Sequence, residues 1–183
     1  MATTFVVETG SGSATANSYI SVADADQYVE NYLRNASAWT SLTEAQKQQY
    51  LREGTQALDG IYGARWLGYK WSDGQALDWP RQAIVTNEGW DVNANEIPEA
   101  VKRATVELAW RALQDTDGPD ADGTSALMPD GTAGDNLKVE DVSVGPLRER
   151  KEYFGTKTTV VRMRKVDLML RDYIRPFGQV ARG

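Results

Sequence analysis

The segment from Gly63 to Arg81 holds aromatic and basic side chains in close alternation. Rings interleaved with cations are the groups that stack on the bases of a single-stranded nucleic acid and contact its phosphates. The candidates for such contacts are Arg65, Trp66, Lys70, Trp71 and Arg81. The same composition is typical of a long loop that is held in place by buried tryptophans. We favour this second interpretation, in which the cations stay at the surface. The anchoring rings Trp66, Trp71 and Trp79 are then buried against the adjoining helices or against a neighbouring subunit.

Residue types needed for most catalytic sites are missing from the chain, which contains neither histidine nor cysteine. Ser-His-Asp and Cys-His catalysis are therefore excluded, as are zinc sites that use imidazole or thiolate ligands. The acidic run DTDGPDADG, residues 115–123, lacks the spacing and the final glutamate of an EF-hand loop. Gly10-Ser11-Gly12 resembles part of a dinucleotide loop, but no strand–helix unit and no GK[ST] follow it. We predict that the protein is not an enzyme and uses no cofactor and no metal.

The net charge of −6 is divided unevenly along the chain. Residues 1–147 carry 10 basic and 22 acidic side chains, whereas residues 148–183 carry 10 basic and 4 acidic ones, giving net charges of −12 and +6. Such asymmetry indicates either a solvated basic segment or a face that meets a charged partner. The cations proposed for a contact with another subunit or a partner protein are Arg148, Arg150, Lys151, Arg162, Arg164, Arg171 and Arg175. A contact with the acidic 115–141 loop of another copy would be head-to-tail, and contacts of that kind generate rings.

Helical periodicity accounts for most of the chain outside this basic segment. The first helix is expected after Ser21 as N-cap, with Tyr28 and Tyr32 on its apolar face. The second is expected after Thr43, and Gly54 on its apolar side predicts a close crossing with another helix. The predicted third helix has Pro98 in its first turn and ends near residue 114, and the last begins near residue 165 and ends at 176–178.

The remaining segments are predicted as loops or strands. Residues 63–96 form a long aromatic loop, residues 115–141 an acidic loop and residues 178–183 a flexible tail. A β arm is expected over 137–164, built from LKVEDVSVG and TKTTVVRMRK, with Gly145-Pro146 as a turn. The predicted fold is mainly α, a single domain over 1–183. Its bundle of about four helices has a helical core at about 20–114 and 165–177, a long aromatic loop, and a β-hairpin or extended arm before the C-terminal helix. No signal peptide, membrane span or membrane partner is expected.

Six motifs in order along the chain resemble a known family. They are ANSYISVADADQYV, LREGTQALDGIYGARWLGYK, DWPR, EIPEAVKRATVELAWRAL, VGPL and VDLMLRDYIRPF. Together they resemble a phage family described as DnaT-like single-stranded-DNA-binding proteins. Through it, the chain is similar to the head–tail adaptors of tailed phages, which are also called connector or head-completion proteins.

The resemblance implies a structural virion protein at the neck, made in the host cytoplasm. Such adaptors form a homo-oligomeric ring, commonly twelve-fold, between the portal protein and the tail or a stopper protein. The ring extends a channel through which DNA passes without sequence-specific binding, and the acidic 115–141 loop is then a candidate for the channel wall. The alternative is a single-stranded-DNA-binding replication protein of the primosome type that uses the tryptophan-rich loop.

Overall fold

The structure is a computed structural model that describes residues 4–114, 139–144, 147–152 and 164–175. Its α-helices are α1 (Val22–Tyr32), α2 (Ser37–Thr40), α3 (Glu44–Tyr62), α4 (Glu99–Gln114) and α5 (Arg164–Leu170), and a 3-10 turn spans Gly63–Arg65. The strands are β1 (Tyr69–Lys70), β2 (Arg81–Gln82), β3 (Val139–Val144) and β4 (Leu147–Glu152). The mainly α prediction is confirmed, with α2 as a one-turn helix that the sequence pattern did not indicate. Within the described ranges, no helix is long and apolar enough to cross a membrane.

Both predicted N-caps begin helices as expected. The Ser21 side chain accepts a hydrogen bond from the Asp24 backbone N–H at 3.1 Å, which satisfies one free donor of the first turn of α1. Thr43 forms a capping box with Gln46, because each side chain accepts from the other residue's backbone N–H, at 3.4 and 2.9 Å. These local contacts fix where α1 and α3 start.

Close packing of α3 against α4 forms the centre of the core, as the position of Gly54 predicts. A Cβ atom at Gly54 would lie 2.6 Å from the Thr105 carbonyl oxygen and 2.8 Å from the Ala109 backbone nitrogen. Glycine is therefore required for the two backbones to approach this closely. Fully buried leucines extend the contact along both helices, among them Leu58 and Leu108.

The chain after α5 pairs with the start of the aromatic loop. The Leu67 N–H donates to the Tyr173 carbonyl at 2.9 Å, and the Arg175 N–H donates to the Arg65 carbonyl at 2.8 Å. Trp66 and Ile174 form the antiparallel bridge between these two bonds. The predicted continuation of the last helix beyond 170 is therefore wrong. The Tyr173 carbonyl and the Arg175 N–H bond to the aromatic loop and are not available for hydrogen bonds within a longer helix. Residues 176–178, predicted to end the helix, lie outside the described residues.

The β arm contains a hairpin, but with a different second strand from the predicted one. Strands β3 and β4 pair antiparallel from Val139↔Glu152 to Val144↔Leu147. The partner of VEDVSV in the described residues is LRERKE, because only two residues separate the paired strands and so short a connection favours adjacent pairing. Four predicted features lie outside the described residues. They are the turn at Gly145-Pro146, the second strand up to 163, residues 115–138 of the acidic loop and the 178–183 tail.

Candidate nucleic-acid interface

Two of the three loop tryptophans are core residues. Trp66 and Trp79 are 2% and 0% exposed, and their rings meet edge to face with centroids 5.6 Å apart. Trp79 makes a second T-shaped contact with Tyr173 at 5.7 Å, and Trp66 packs against Tyr62 at 5.9 Å. These rings join the aromatic loop to the end of α3 and to the segment after α5, so their faces are not available to bases.

Trp71 is exposed in the single chain, so its predicted burial against the adjoining helices is wrong, and its burial against a neighbouring subunit stays a prediction. Its ring is at the surface with 41% of the residue accessible, and its backbone N–H donates to the Pro80 carbonyl at 3.1 Å. This bond extends the β1–β2 ladder by one position. Successive side chains of a strand point to opposite faces, so Tyr69 and Trp71 share one face of the ladder. Tyr69 is 58% exposed, which shows that this face is open to solvent.

Arg81 is buried, which contradicts its predicted place at the surface. The residue is 8% exposed, and its guanidinium donates to the backbone carbonyls of Leu67, Asp78 and Gly68 at 2.8, 3.2 and 2.9 Å. Burial lowers the pKa of this guanidinium, and the nearby Asp78 carboxylate opposes that shift. A planar group with five donors can satisfy several turn carbonyls at once. The Arg81 guanidinium therefore binds carbonyl groups within the loop, and its charge is not available to a phosphate.

The other two predicted DNA-contacting cations have protein partners. Arg65 lies with Nη1 3.3 Å from Asp167 Oδ1 and donates from Nε to the Arg175 carbonyl at 3.2 Å. Lys70 lies with Nζ 3.1 Å from Asp78 Oδ1, and its side chain is 41% exposed. Of the five candidates for DNA contact, Trp66 and Arg81 are buried. Arg65 connects the start of the aromatic loop to α5 and to the segment after it. Lys70 and Trp71 are the two that lie at the surface.

Trp90 is an exposed ring that was not among the predicted site residues. It is 70% exposed and follows a tight turn in which the Gly89 N–H donates to the Thr86 carbonyl at 2.9 Å. Gly89 has a φ of 88°, a conformation that glycine adopts without strain. The signal that could have found Trp90 is the Asn-Glu-Gly turn sequence immediately before it, because turns and loops run over the protein surface.

A buried hydrogen-bond network connects the loop to α3. The Tyr19 hydroxyl donates to both oxygens of Asp59, at 2.6 and 2.9 Å, and accepts from the Trp79 backbone N–H at 3.1 Å. The Asp78 backbone N–H donates to Asp59 Oδ2 at 3.0 Å. Burial raises the pKa of the Asp59 carboxyl to about 6, against the lowering effect of the Tyr19 and Asp78 hydrogen bonds.

The raised pKa of Asp59 predicts a loss of stability as the pH rises. The folded protein binds the Asp59 proton more tightly than the unfolded chain, so this contribution is complete below about pH 4 and disappears as the pH passes 6. A rise from 3.8 to about 6 corresponds to roughly 3 kcal/mol. We expect the free energy of unfolding of the Asp59→Asn variant, measured by urea denaturation, to fall less than that of the wild type between pH 4 and pH 7.5. Parallel pH profiles for the two proteins would contradict this assignment.

The basic residues proposed as a subunit or portal interface are only partly described. Arg164, Arg171 and Arg175 are exposed, and Arg171 Nε lies 3.9 Å from Asp172 Oδ1. Three further cations lie on β4, where the register places them opposite residues of β3: Arg148 with Ser143, Arg150 with Asp141, and Lys151 with Glu140. Arg162 lies outside the described residues. In the part of the chain that the structure describes, no group of three or more carboxylates is placed to hold a metal ion.

Comparisons with known proteins place the chain in a family. No curated protein matches this sequence, and no solved structure matches this chain. A family model described as "Putative DnaT-like ssDNA binding protein" matches residues 3–183. Because that match covers nearly the whole chain, the protein belongs to the family of DnaT-like putative ssDNA-binding proteins.

Proposed function

We propose that this protein binds single-stranded DNA through exposed rings on the loop between α3 and α4. These rings, Tyr69, Trp71 and Trp90, are called here the loop aromatic surface. The observation that carries the proposal is their exposure of 58, 41 and 70% in a loop whose other tryptophans are buried. An exposed large ring loses its contact with water when a base stacks on it, and each such contact contributes on the order of 1–3 kcal/mol. Membership of the family is a second support.

Two short backbone pairings lie beside these rings. Residues 69–71 pair with 80–82, and Val85 pairs with Asp91, one residue after Trp90. The rings therefore project from backbone that is already hydrogen-bonded. A preformed surface of this kind orders little on binding, which lowers the entropic cost of stacking.

Electrostatic attraction is expected to contribute less than base stacking to the affinity for single-stranded DNA. Lys70 is half-exposed and already paired with Asp78, Arg81 is buried, and the whole chain carries a net charge of −6. A single strand that meets one or two cations gives a slope of log affinity against log salt of about −0.7 to −1.4. The proposed complex is thus weakly dependent on salt.

The test is a titration of fluorescently labelled oligo-dT, followed by anisotropy and by quenching of tryptophan fluorescence. We expect saturable binding with the shallow salt slope given above, and about tenfold weaker binding for Trp90→Ala and for Trp71→Ala. Leu168→Ala, a change at a 60% exposed aliphatic residue of α5, serves as the control and should leave the affinity unchanged. No detectable binding by the wild type in low salt would refute the proposal.

A second candidate is a ring-forming head–tail adaptor of a tailed-phage virion, without enzymatic activity. Two observations favour it: the division of charge into −12 and +6, and the hairpin of β3 and β4 that precedes α5 and carries three of the cations. In this role the ring would lie between the portal and a tail or stopper protein, with DNA passing through its channel. Electron micrographs of the portal mixed with this protein should then show an added ring. An absence of association over a range of salt concentrations would count against this function.

The oligo-dT titration and the mixing experiment with the portal together distinguish the two functions. A DNA-binding replication protein should bind oligo-dT without any partner, and its affinity should depend on the loop aromatic surface. An adaptor should associate with its portal, and charge reversal at the exposed Arg164 and Arg171 should weaken that association while the titration with oligo-dT stays flat.

A further inference from the structure

A pocket of about 300 Å³ lies between α1 and the first half of α4, and none of the rings of the loop aromatic surface lines it. On the α1 side its lining includes Gln27, Tyr28, Asn31 and Tyr32, which recur at the spacing of one helical face. That face carries two rings and two amides where an ordinary core stripe would carry aliphatic residues. Lys102 and Arg103 of α4 line the opposite wall.

The aromatic wall of the pocket is fixed by contacts around it. The rings of Tyr28 and Tyr32 lie 5.1 Å apart, and the Arg103 guanidinium lies over them at 6.0 and 5.4 Å from their centroids. The Tyr28 hydroxyl donates to Glu107 Oε1 at 2.7 Å, and Arg103 Nε donates to Glu99 Oε1 at 3.1 Å. Tyr32 is 61% exposed, so its ring forms a preorganised platform that a ligand can cover.

The four charged side chains of the pocket lining sum to zero, and among the described residues one of the two cations has no ion pair. Arg103 and Glu99 neutralise each other, and the Asp24 carboxylate accepts a hydrogen bond from the Ser21 hydroxyl at 2.7 Å. Within the described residues, Lys102 has no ion pair. The same holds for the amides of Gln27 and Asn31, which have no hydrogen-bond partner there. The pocket therefore suits a planar ligand that carries edge donors and acceptors and a negatively charged group that Lys102 can meet.

We infer that this pocket binds one nucleotide of a single DNA strand. The base would stack on Tyr32, its edge would meet the amides of Gln27 and Asn31, and its phosphate would meet the Lys102 ammonium. This inference rests on the proposed DNA-binding function but adds a contact site distinct from the loop aromatic surface. A pocket of this volume matches the lower end of small-molecule sites, as expected for a single nucleotide.

The experiment measures oligo-dT affinity for variants of the pocket in the full-length chain. Tyr32→Ala should weaken binding about tenfold, whereas Tyr32→Phe keeps the ring and should bind like the wild type. Lys102→Gln should weaken binding and reduce the salt slope by about 0.7, because one phosphate contact is lost. The matched control is Arg111→Gln, an exposed cation nine residues further along α4 and therefore on the opposite face of that helix.

A second measurement locates the contact directly. Photocrosslinking with an oligonucleotide that contains 5-iodo-deoxyuridine, followed by mass spectrometry of the peptides, should give a crosslink at Tyr32. Wild-type affinity for both Tyr32→Ala and Lys102→Gln, with crosslinks confined to Trp71 or Trp90, would overturn the pocket assignment and leave the proposed function intact. Weakening by the pocket variants alone would support the pocket and refute the loop aromatic surface. Absence of DNA binding by the wild type would overturn both proposals.

Discussion

Replacing Gly54 with alanine is expected to destabilise the protein, although alanine is the better helix former. The added Cβ would lie 2.6 and 2.8 Å from backbone atoms of α4, which cannot move aside as a flexible side chain could. Alanine stabilises a helix by up to about 1 kcal/mol relative to glycine. Forcing packed backbones apart lowers the free energy of unfolding by about 1–3 kcal/mol or more. We expect a net loss of about 2 kcal/mol in the free energy of unfolding.

Gly60 provides the matched control on the same helix. It is exposed within α3, so Gly60→Ala should add helix propensity and stabilise the protein by about 0.5–1 kcal/mol. Urea denaturation of both variants measures the two effects under one condition. Opposite signs support the close crossing of α3 and α4, and stabilisation of both variants would mean that the helices do not approach this closely.

Replacing Trp79 with alanine is expected to have the largest effect of any single truncation in the loop. The side chain is fully buried and packs edge to face on both Trp66 and Tyr173, so its removal leaves a cavity in the centre of the core. Removal of a buried tryptophan typically costs about 3–5 kcal/mol. We expect a loss of this size in urea denaturation, together with faster amide hydrogen exchange over residues 164–175, because Tyr173 loses its packing partner.

The exposed tryptophans serve as controls for Trp79. Trp90→Ala removes a ring that is 70% exposed and should change the free energy of unfolding by about 0.5 kcal/mol or less. Equal losses for Trp79→Ala and Trp90→Ala would contradict the division of the loop into buried anchors and surface rings. The stability measurement is independent of any DNA titration, so it tests the fold without relying on the proposed function.

The features that could be predicted from the sequence are those that depend on contacts between residues close together along the chain. Ser21 and Thr43 begin helices because each side chain meets a backbone N–H three residues on. The role of Gly54 was recognisable because a glycine on the apolar face of a helix typically marks the close approach of another backbone. The limits of α4 were recognisable from Pro98 and the helical pattern that follows it.

The features that could not be predicted depend on partners far along the chain. Trp71 is exposed and Arg81 buried because residues 69–71 pair with 80–82, and composition alone does not reveal that register. Tyr32 fits the helical stripe of α1, yet it is 61% exposed. The candidate sites therefore became visible only when the loop ladder and the contact between α1 and α4 were known.

The pairing of residues 65–67 with 173–175 determines when the protein can complete its fold during synthesis. Trp66 and Trp79 are covered in part by Ile174 and Tyr173. The ribosome adds these two residues about 60 positions after the end of α4, and at ~5–20 residues per second this interval lasts several seconds. Throughout that time the nascent chain carries two tryptophans without their final cover. Completion of this part of the core is then expected to follow the synthesis of Ile174 and not the formation of the α3–α4 pair.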